Sequence, residues 1–200
     1  VIAALKANTI VDQAVLVVAL IGVSVPNFWL GLMLIVSFGV WFDVLPAGGY
    51  TPFADNPVEW ARSLILPGIS LAMLQIGLLA RITRATMLEV LRQDFVRTAR
   101  AKGLPVRMVV GQHALRNVMV PVVTVIGISF GLLLSGSVVI ETVYSIPGMG
   151  RLLATAIFSR DYPVIQGGLL VTATVLVLLN LVVDLLYAVI DPRIKHDGRS

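Results

Sequence analysis

The sequence contains no cysteine. Disulfide frameworks and thiolate metal sites are therefore excluded. It holds only two histidines, His113 and His196, and both lie outside the apolar runs. No His-Glu-x-x-His helix is present for a zinc protease. Charge is also scarce, at 13% of residues against roughly 25% in ordinary soluble domains. Hydrophobic residues make up 58%, and the mean hydropathy is +0.94. A soluble globule of this size needs more polar surface than that, so the bilayer is taken as the solvent. The chain opens at Val1 on a polar, helix-compatible stretch with none of the parts of a signal peptide. We expect the N-terminal part of a longer protein to precede it.

What is present is a set of long apolar runs. Four qualify as spans by the guide of roughly 20 apolar residues per crossing. The first covers 14–42, long enough to tilt. Pro26 predicts a kink in it, with Ser24 helping to satisfy the freed backbone groups. The second covers 64–82, with Pro67 in its first turn. The third covers 121–140 and the fourth 166–190, ended by Asp191-Pro192. The fold class predicted is all-α, a polytopic membrane helix bundle formed by one transmembrane domain over 1–200. Between the spans, 43–63 is rich in proline and glycine and reads as an irregular loop. Residues 141–165 form a second external segment, with a short amphipathic helix from Arg151 to Ser159. There Leu152, Leu153 and Ile157 share a face.

The net charge of +4 is unevenly placed. Arg81, Arg84, Arg92, Arg97, Arg100, Lys102, Arg107 and Arg116 crowd one connection, within a loop over 81–120. Lys6, Arg193, Lys195 and Arg199 sit at the ends, while only Arg62, Arg151 and Arg160 fall on the other side. The positive-inside rule places both ends and the basic loop in the cytoplasm. Topology thus accounts for the basic charge, and nucleic-acid binding loses its support.

Within the basic loop, Leu88, Leu91, Phe95 and Ala99 recur at helical spacing, and arginines cover the remaining circumference. A helix continuing the second span as far as Lys102 is predicted. Gly103 permits a break, and Pro105 starts a second helix with Val106, Val109, Val110 and Ala114 on one face. Two short amphipathic helices at an angle have apolar faces to bury. On these grounds a partner-docking handle and a loop lying on anionic headgroups stand side by side.

The motifs add a resemblance. The segment is similar to the EAA loop of ABC-importer permeases, written E-A-A-x3-G-x9-I-x-L-P. Ala99 matches the second Ala, Gly103 the Gly and Leu115 the Leu. Arg97 replaces the Glu, Thr98 the first Ala, His113 the Ile and Arg116 the Pro. Arg97 to Gly103, then His113-Ala114-Leu115-Arg116-Asn117 and Pro121-Val122-Val123-Thr124, resemble the dipeptide/oligopeptide/nickel permease branch. So do Ser24 to Gly31, Glu141-Thr142-Val143-Tyr144, Pro147 to Leu152, Arg160-Asp161-Tyr162-Pro163, Asn180 to Tyr187 and Asp191-Pro192-Arg193. The likeness covers nearly the whole chain. Permeases of that family have six spans, and this chain resembles the last four.

The resemblance implies a non-catalytic transport subunit in a bacterial or archaeal cytoplasmic (inner) membrane. Its partners would be a second, related permease subunit, two cytoplasmic ABC ATPases, an external substrate-binding protein and membrane lipid. This chain would bind no cofactor, ATP-Mg residing on the ATPases. Peptides, or small solutes such as nickel, would be the cargo. Arg97, Thr98, Ala99, Arg100, Ala101, Lys102, Gly103 and Leu104 would couple to an ATPase, with Ala99 allowing close approach and Gly103 setting the angle. Asp94, one turn earlier, is the candidate to replace the missing Glu.

Inside the spans the candidates for pathway or packing are Pro26, Gly127, Gly131, Ser135, Glu141, Asn180 and Asp184. An intramembrane acid such as Asp184 costs roughly 2.5–3.5 kcal/mol on insertion scales. It is expected to face the protein interior or water, with Asn180 one turn away as a hydrogen-bond partner. The pair either lines the pathway or clamps helices. Gly127, Gly131 and Ser135 recur every four residues and permit close helix approach, within the chain or against a partner. Glu141 either shapes an external gate or anchors at the interface. The rival classes are weaker. An aspartyl protease lacks its second intramembrane acid. An ion channel, the alternative multi-span reading, calls for a filter loop that 141–165 does not supply. A structural scaffold leaves the helix-Gly-helix handle unexplained.

Overall fold

Apolar runs punctuated by proline, glycine and capping residues become helices in the computed structural model, which describes residues 1–190 and omits the side chains of 113, 134, 135 and 186–190. Asp191, Pro192, Arg193, Lys195 and Arg199 lie outside the described residues. The elements are α1 (Ile2–Leu5), α2 (Ile10–Ser24), α3 (Asn27–Leu34) continuing with π geometry over Ile35–Trp41, and α4 (Pro57–Leu91). Then come α5 (Asp94–Ala101), α6 (Val106–Met108) with a π segment Val109–Ala114, α7 (Leu115–Val143), α8 (Met149–Ser159) and α9 (Tyr162–Ile190). No strand occurs among the described residues. Three helices are long and apolar enough to cross a membrane, or four if α2 and α3 count as one broken span.

The first span differs from the expected kinked helix. α2 and α3 are bent by 102°. Pro26 does not sit inside a continuous helix. Its backbone is extended (ψ 134°) and it caps α3, accepting from Leu30 N–H at 3.0 Å. Ser24 is exposed and takes no described part in satisfying the break.

Other boundaries also move. α4 starts at Pro57, seven residues before the expected 64, because Asn56 caps it. The Asn56 Oδ1 accepts from the N–H groups of Val58 (3.0 Å) and Glu59 (3.2 Å), with proline at the first helical position. Pro67 is therefore interior. α9 starts at Tyr162, where the Asp161 Oδ1 accepts from Val164 N–H at 3.2 Å. The largest correction concerns the third span. The handle's second helix is not separate: it runs without a break through α6 and the π segment into α7, with Pro121 inside. Intramembrane helices tolerate interior proline because neighbouring groups re-satisfy the backbone.

The chain forms two compact units. One comprises Val1–Leu20, Gly77–Ile128 and the part beginning at Leu178. Its core is Ala4, Met87, Val90, Val96, Ala99, Val109, Ala114, Val118 and Val122. The other comprises Ile21–Ile76 and Ser129–Val177. Its core is Leu66, Ile140 and Tyr144, flanked by Leu34, Ile35 and Leu71.

Candidate coupling site

The elbow in the first unit is built by backbone chemistry. α4 ends at Leu91, and Gln93 turns extended (ψ 151°) to cap α5. This break overturns the expected continuous helix to Lys102, and its cause lies in the apolar pattern. Met87 and Val90 face the core, but an unbroken helix would next bring Asp94 to that face. Restarting the helix at Asp94 brings Val96 and Ala99 inward instead, at 0% and 8% exposure. Phe95, expected inside, is exposed.

α5 ends in a Schellman closure. Gly103 N–H donates to Arg100 O at 2.9 Å and Leu104 N–H to Ala99 O at 3.3 Å. Gly103 has φ +76°, and a Cβ there would meet nothing within 4 Å. The glycine is thus needed for its left-handed backbone and not for space. Leu104 packs against the core. Pro105 caps α6 one position before the helix proper. Val109 and Ala114 are buried, whereas Val106, expected on that face, is exposed.

The elbow's outer ridge carries the charge. Arg97, Thr98, Arg100, Ala101, Lys102 and Gly103 are exposed. Ala99 makes its close approach to the chain's own core. The Thr98 hydroxyl donates to Asp94 O at 2.9 Å. Asp94 and Arg97 pair at 3.7 Å with side chains 97% and 78% exposed, a geometry that contributes little.

An ion pair in the same unit escaped the sequence reading. Asp12 in the first turn of α2 is 1% exposed. The Arg84 guanidinium of α4 donates to it twice, Nε to Oδ1 at 2.5 Å and Nη2 to Oδ2 at 2.6 Å. Asn8 N–H adds a third bond to Oδ2 at 2.9 Å. A lone acid opening an apolar run asks for a cation, but eight basic residues in the loop compete for that role.

The span candidates separate. Gly127 supports a close approach within the chain: a Cβ there would lie 3.0 Å from Val183 Cγ1 of α9. A Cβ at Gly131 would meet no described atom within 4 Å, and the Ser135 side chain is outside the description. Asp184, expected to face the protein interior or water, does not face the chain's own interior. Val183 takes the inward position at 8% exposure, leaving Asp184 and Asn180 exposed with no described bond between them.

In the second unit Glu141 accepts from Arg151 N–H at 2.7 Å, capping α8. Glycine at 148 and 150 makes this possible, since a Cβ at 148 would overlap the carboxylate and one at 150 would lie 2.8 Å from Val138 Cα. Leu153 of the short helix packs over Gly168, while Leu152 and Ile157 are exposed. Tyr144, 1% exposed, bonds to the Ser70 hydroxyl at 3.0 Å and donates to Gly31 O at 3.1 Å. Burial pushes its phenol above the ordinary value, opposed by the Ser70 bond. Gln75 Oε1 and Ser129 Oγ are buried without partners among the described residues. At the Pro26 break a cavity of about 370 Å³ is lined by Val23, Ser24, Pro26, Asn27, Leu74 and Gly136, among others.

Apolar spans, a broken helix and a Schellman-closed basic elbow define an all-α polytopic membrane protein. The chain belongs to the family of binding-protein-dependent transport system inner membrane components, whose model matches residues 1–196. It is 49% identical over 197 residues to a putative peptide transport system permease protein of Brucella abortus. It is 47% identical over 216 residues to the di/tripeptide transport system permease protein DppB of Pseudomonas aeruginosa, and 45% over 219 to the dipeptide transport system permease protein DppB of Escherichia coli K12. Each alignment covers 98% of this chain and, respectively, 63%, 64% and 65% of the relative. The chain therefore spans just under two thirds of the length of these relatives.

Proposed function

We propose that the chain is the last four spans of a non-catalytic permease subunit in an ATP-driven peptide importer of the bacterial inner membrane. The peptide cargo is carried over from the relatives' names. Both ends of the segment and the elbow face the cytoplasm, following the distribution of basic residues. The elbow docks on one of two ATPase subunits. A second permease completes the pathway, and an external binding protein delivers cargo. ATP-Mg resides on the ATPases. The route for cargo runs beside the Pro26 break, where unwound backbone meets a cavity.

The observation that carries this reading is the elbow's division of labour. Its inner face is locked into the chain's own core, and its angle is held by backbone bonds, while its basic ridge is exposed. Coupling requires that ridge to contact the ATPase differently in the two states.

Single-cysteine variants of the full-length protein, in vesicles with its ATPases, test the reading. Ala101→Cys and Lys102→Cys should cross-link to an ATPase, whereas Val96→Cys should not. Labelling of residue 101 by an impermeant reagent from outside intact cells would overturn it.

A further inference from the structure

We propose that Asp12 and Arg84 are a positioning pair that makes α2 move with the elbow, so that the elbow's displacement arrives at the Pro26 break. The proposal rests on the transport reading above. Stability alone does not account for this pair. A buried ion pair is often no better than well-packed apolar side chains of similar volume. What it supplies is geometry. The planar guanidinium meets both carboxylate oxygens, and such a fork tolerates little sliding. Apolar side chains slip past one another at little cost.

The surroundings give this rigidity a direction. Arg84 lies one turn before Met87, which shares a core with Val96 and Ala99 of the elbow. Elbow and α4 end are therefore one packed body. α1 joins that core through Ala4. α2 contributes no residue to it, and its described polar tie to this body is Asp12. The Asn8 N–H bond adds a further hold on the carboxylate, with Asn8 itself at φ +62°. Asn is among the few residues that tolerate that conformation. From Asp12, α2 runs unbroken to Ser24, where the broken span begins. A shift of the elbow that carries Arg84 along must then carry α2.

The test is made on the full-length protein, reconstituted with its permease partner, ATPases and binding protein. It compares peptide transported per ATP hydrolysed. The apolar double variant Asp12→Leu/Arg84→Met removes both charges. It should assemble at wild-type yield and hydrolyse ATP normally, yet transport per ATP should fall by about tenfold or more, within the usual range of coupling between sites. Wild-type transport per ATP in this variant would reduce the pair to a structural role and overturn the proposal. Arg84→Lys, which retains charge but loses the fork, decides the matter if the double variant fails to assemble. It should also lose transport per ATP, and an unchanged ratio would overturn the proposal. Absence of ATP-dependent uptake by the wild-type complex would instead sink the transport reading itself.

Discussion

Replacing Gly103 tests the elbow most directly. The residue sits at φ +76°, and beyond its chain neighbours no described heavy atom lies within 4 Å of a would-be Cβ. A substitution there meets no clash, so its whole cost is conformational. For an ordinary L-residue the left-handed region costs roughly 1–2 kcal/mol, with β-branched residues at the upper end or beyond. That weights the set elbow against an opened one by about 5- to 30-fold, at 1.4 kcal/mol per tenfold. Opening the turn releases the bonds from Gly103 to Arg100 and from Leu104 to Ala99. The series Gly103→Asn, Gly103→Ala and Gly103→Val separates angle from surface. Asn tolerates the left-handed region and should transport nearly as well as wild type. Ala should be intermediate and Val close to inactive, with membrane insertion intact in all three. The assay is ATP-dependent uptake by the reconstituted complex, with retention of the ATPases measured in parallel. If Asn is as damaging as Val, contact and not backbone angle decides. If Val is harmless, the elbow's angle is irrelevant to coupling.

The second unit offers further checks, read as thermal unfolding in detergent. Glu141→Ala should destabilise α8 by about 1 kcal/mol, the usual worth of a helix cap; an unchanged midpoint would remove its capping role. Gly150→Ala should cost on the order of 1–3 kcal/mol, as overpacking does, because its Cβ would lie 2.8 Å from Val138 Cα, a main-chain atom that cannot step aside. Tyr144→Phe should cost about 1 kcal/mol, the net worth of a neutral hydrogen bond, and Ser70→Ala should add little on top of it. Gln75→Leu is expected to be neutral or stabilising, since its only described bond is a 3.5 Å contact to Ser129 O and its Oε1 has no partner among the described residues. A loss above about 1 kcal/mol would show that this amide is satisfied in the native protein.

The elbow was legible because Gly103 announces a left-handed backbone and the flanking apolar residues announce a buried face. The break at Arg92–Gln93 was not, since neither glycine nor proline marks it. It follows from a six-residue step between Val90 and Val96 that a continuous helix does not accommodate. The start of α4 was written in Asn56-Pro57-Val58-Glu59, but the surrounding prolines and glycines masked the cap. Pro26 and Pro121 differ most instructively. Each interrupts an apolar run, yet one ends a helix and the other is absorbed by it. Local sequence does not distinguish them, because neighbouring groups decide whether a freed carbonyl is satisfied. The Asp12–Arg84 pair joins residues 72 positions apart, and no local pattern selects Arg84 from the other basic residues. Helical periodicity places Val183 and Asp184 on different faces, but not which of them the fold turns inward.

The hydrogen bonds that close the bend at residues 99–104 run between main-chain atoms. Angle and recognition are therefore separable properties of this joint. If the docking proposed above holds, mutation can rewrite the cationic surface at 97, 100 and 102, retuning it to a different engine, without disturbing the main-chain bonds that close the turn. A lineage of such joints would then diversify its mates while its lever stayed the same length and slope.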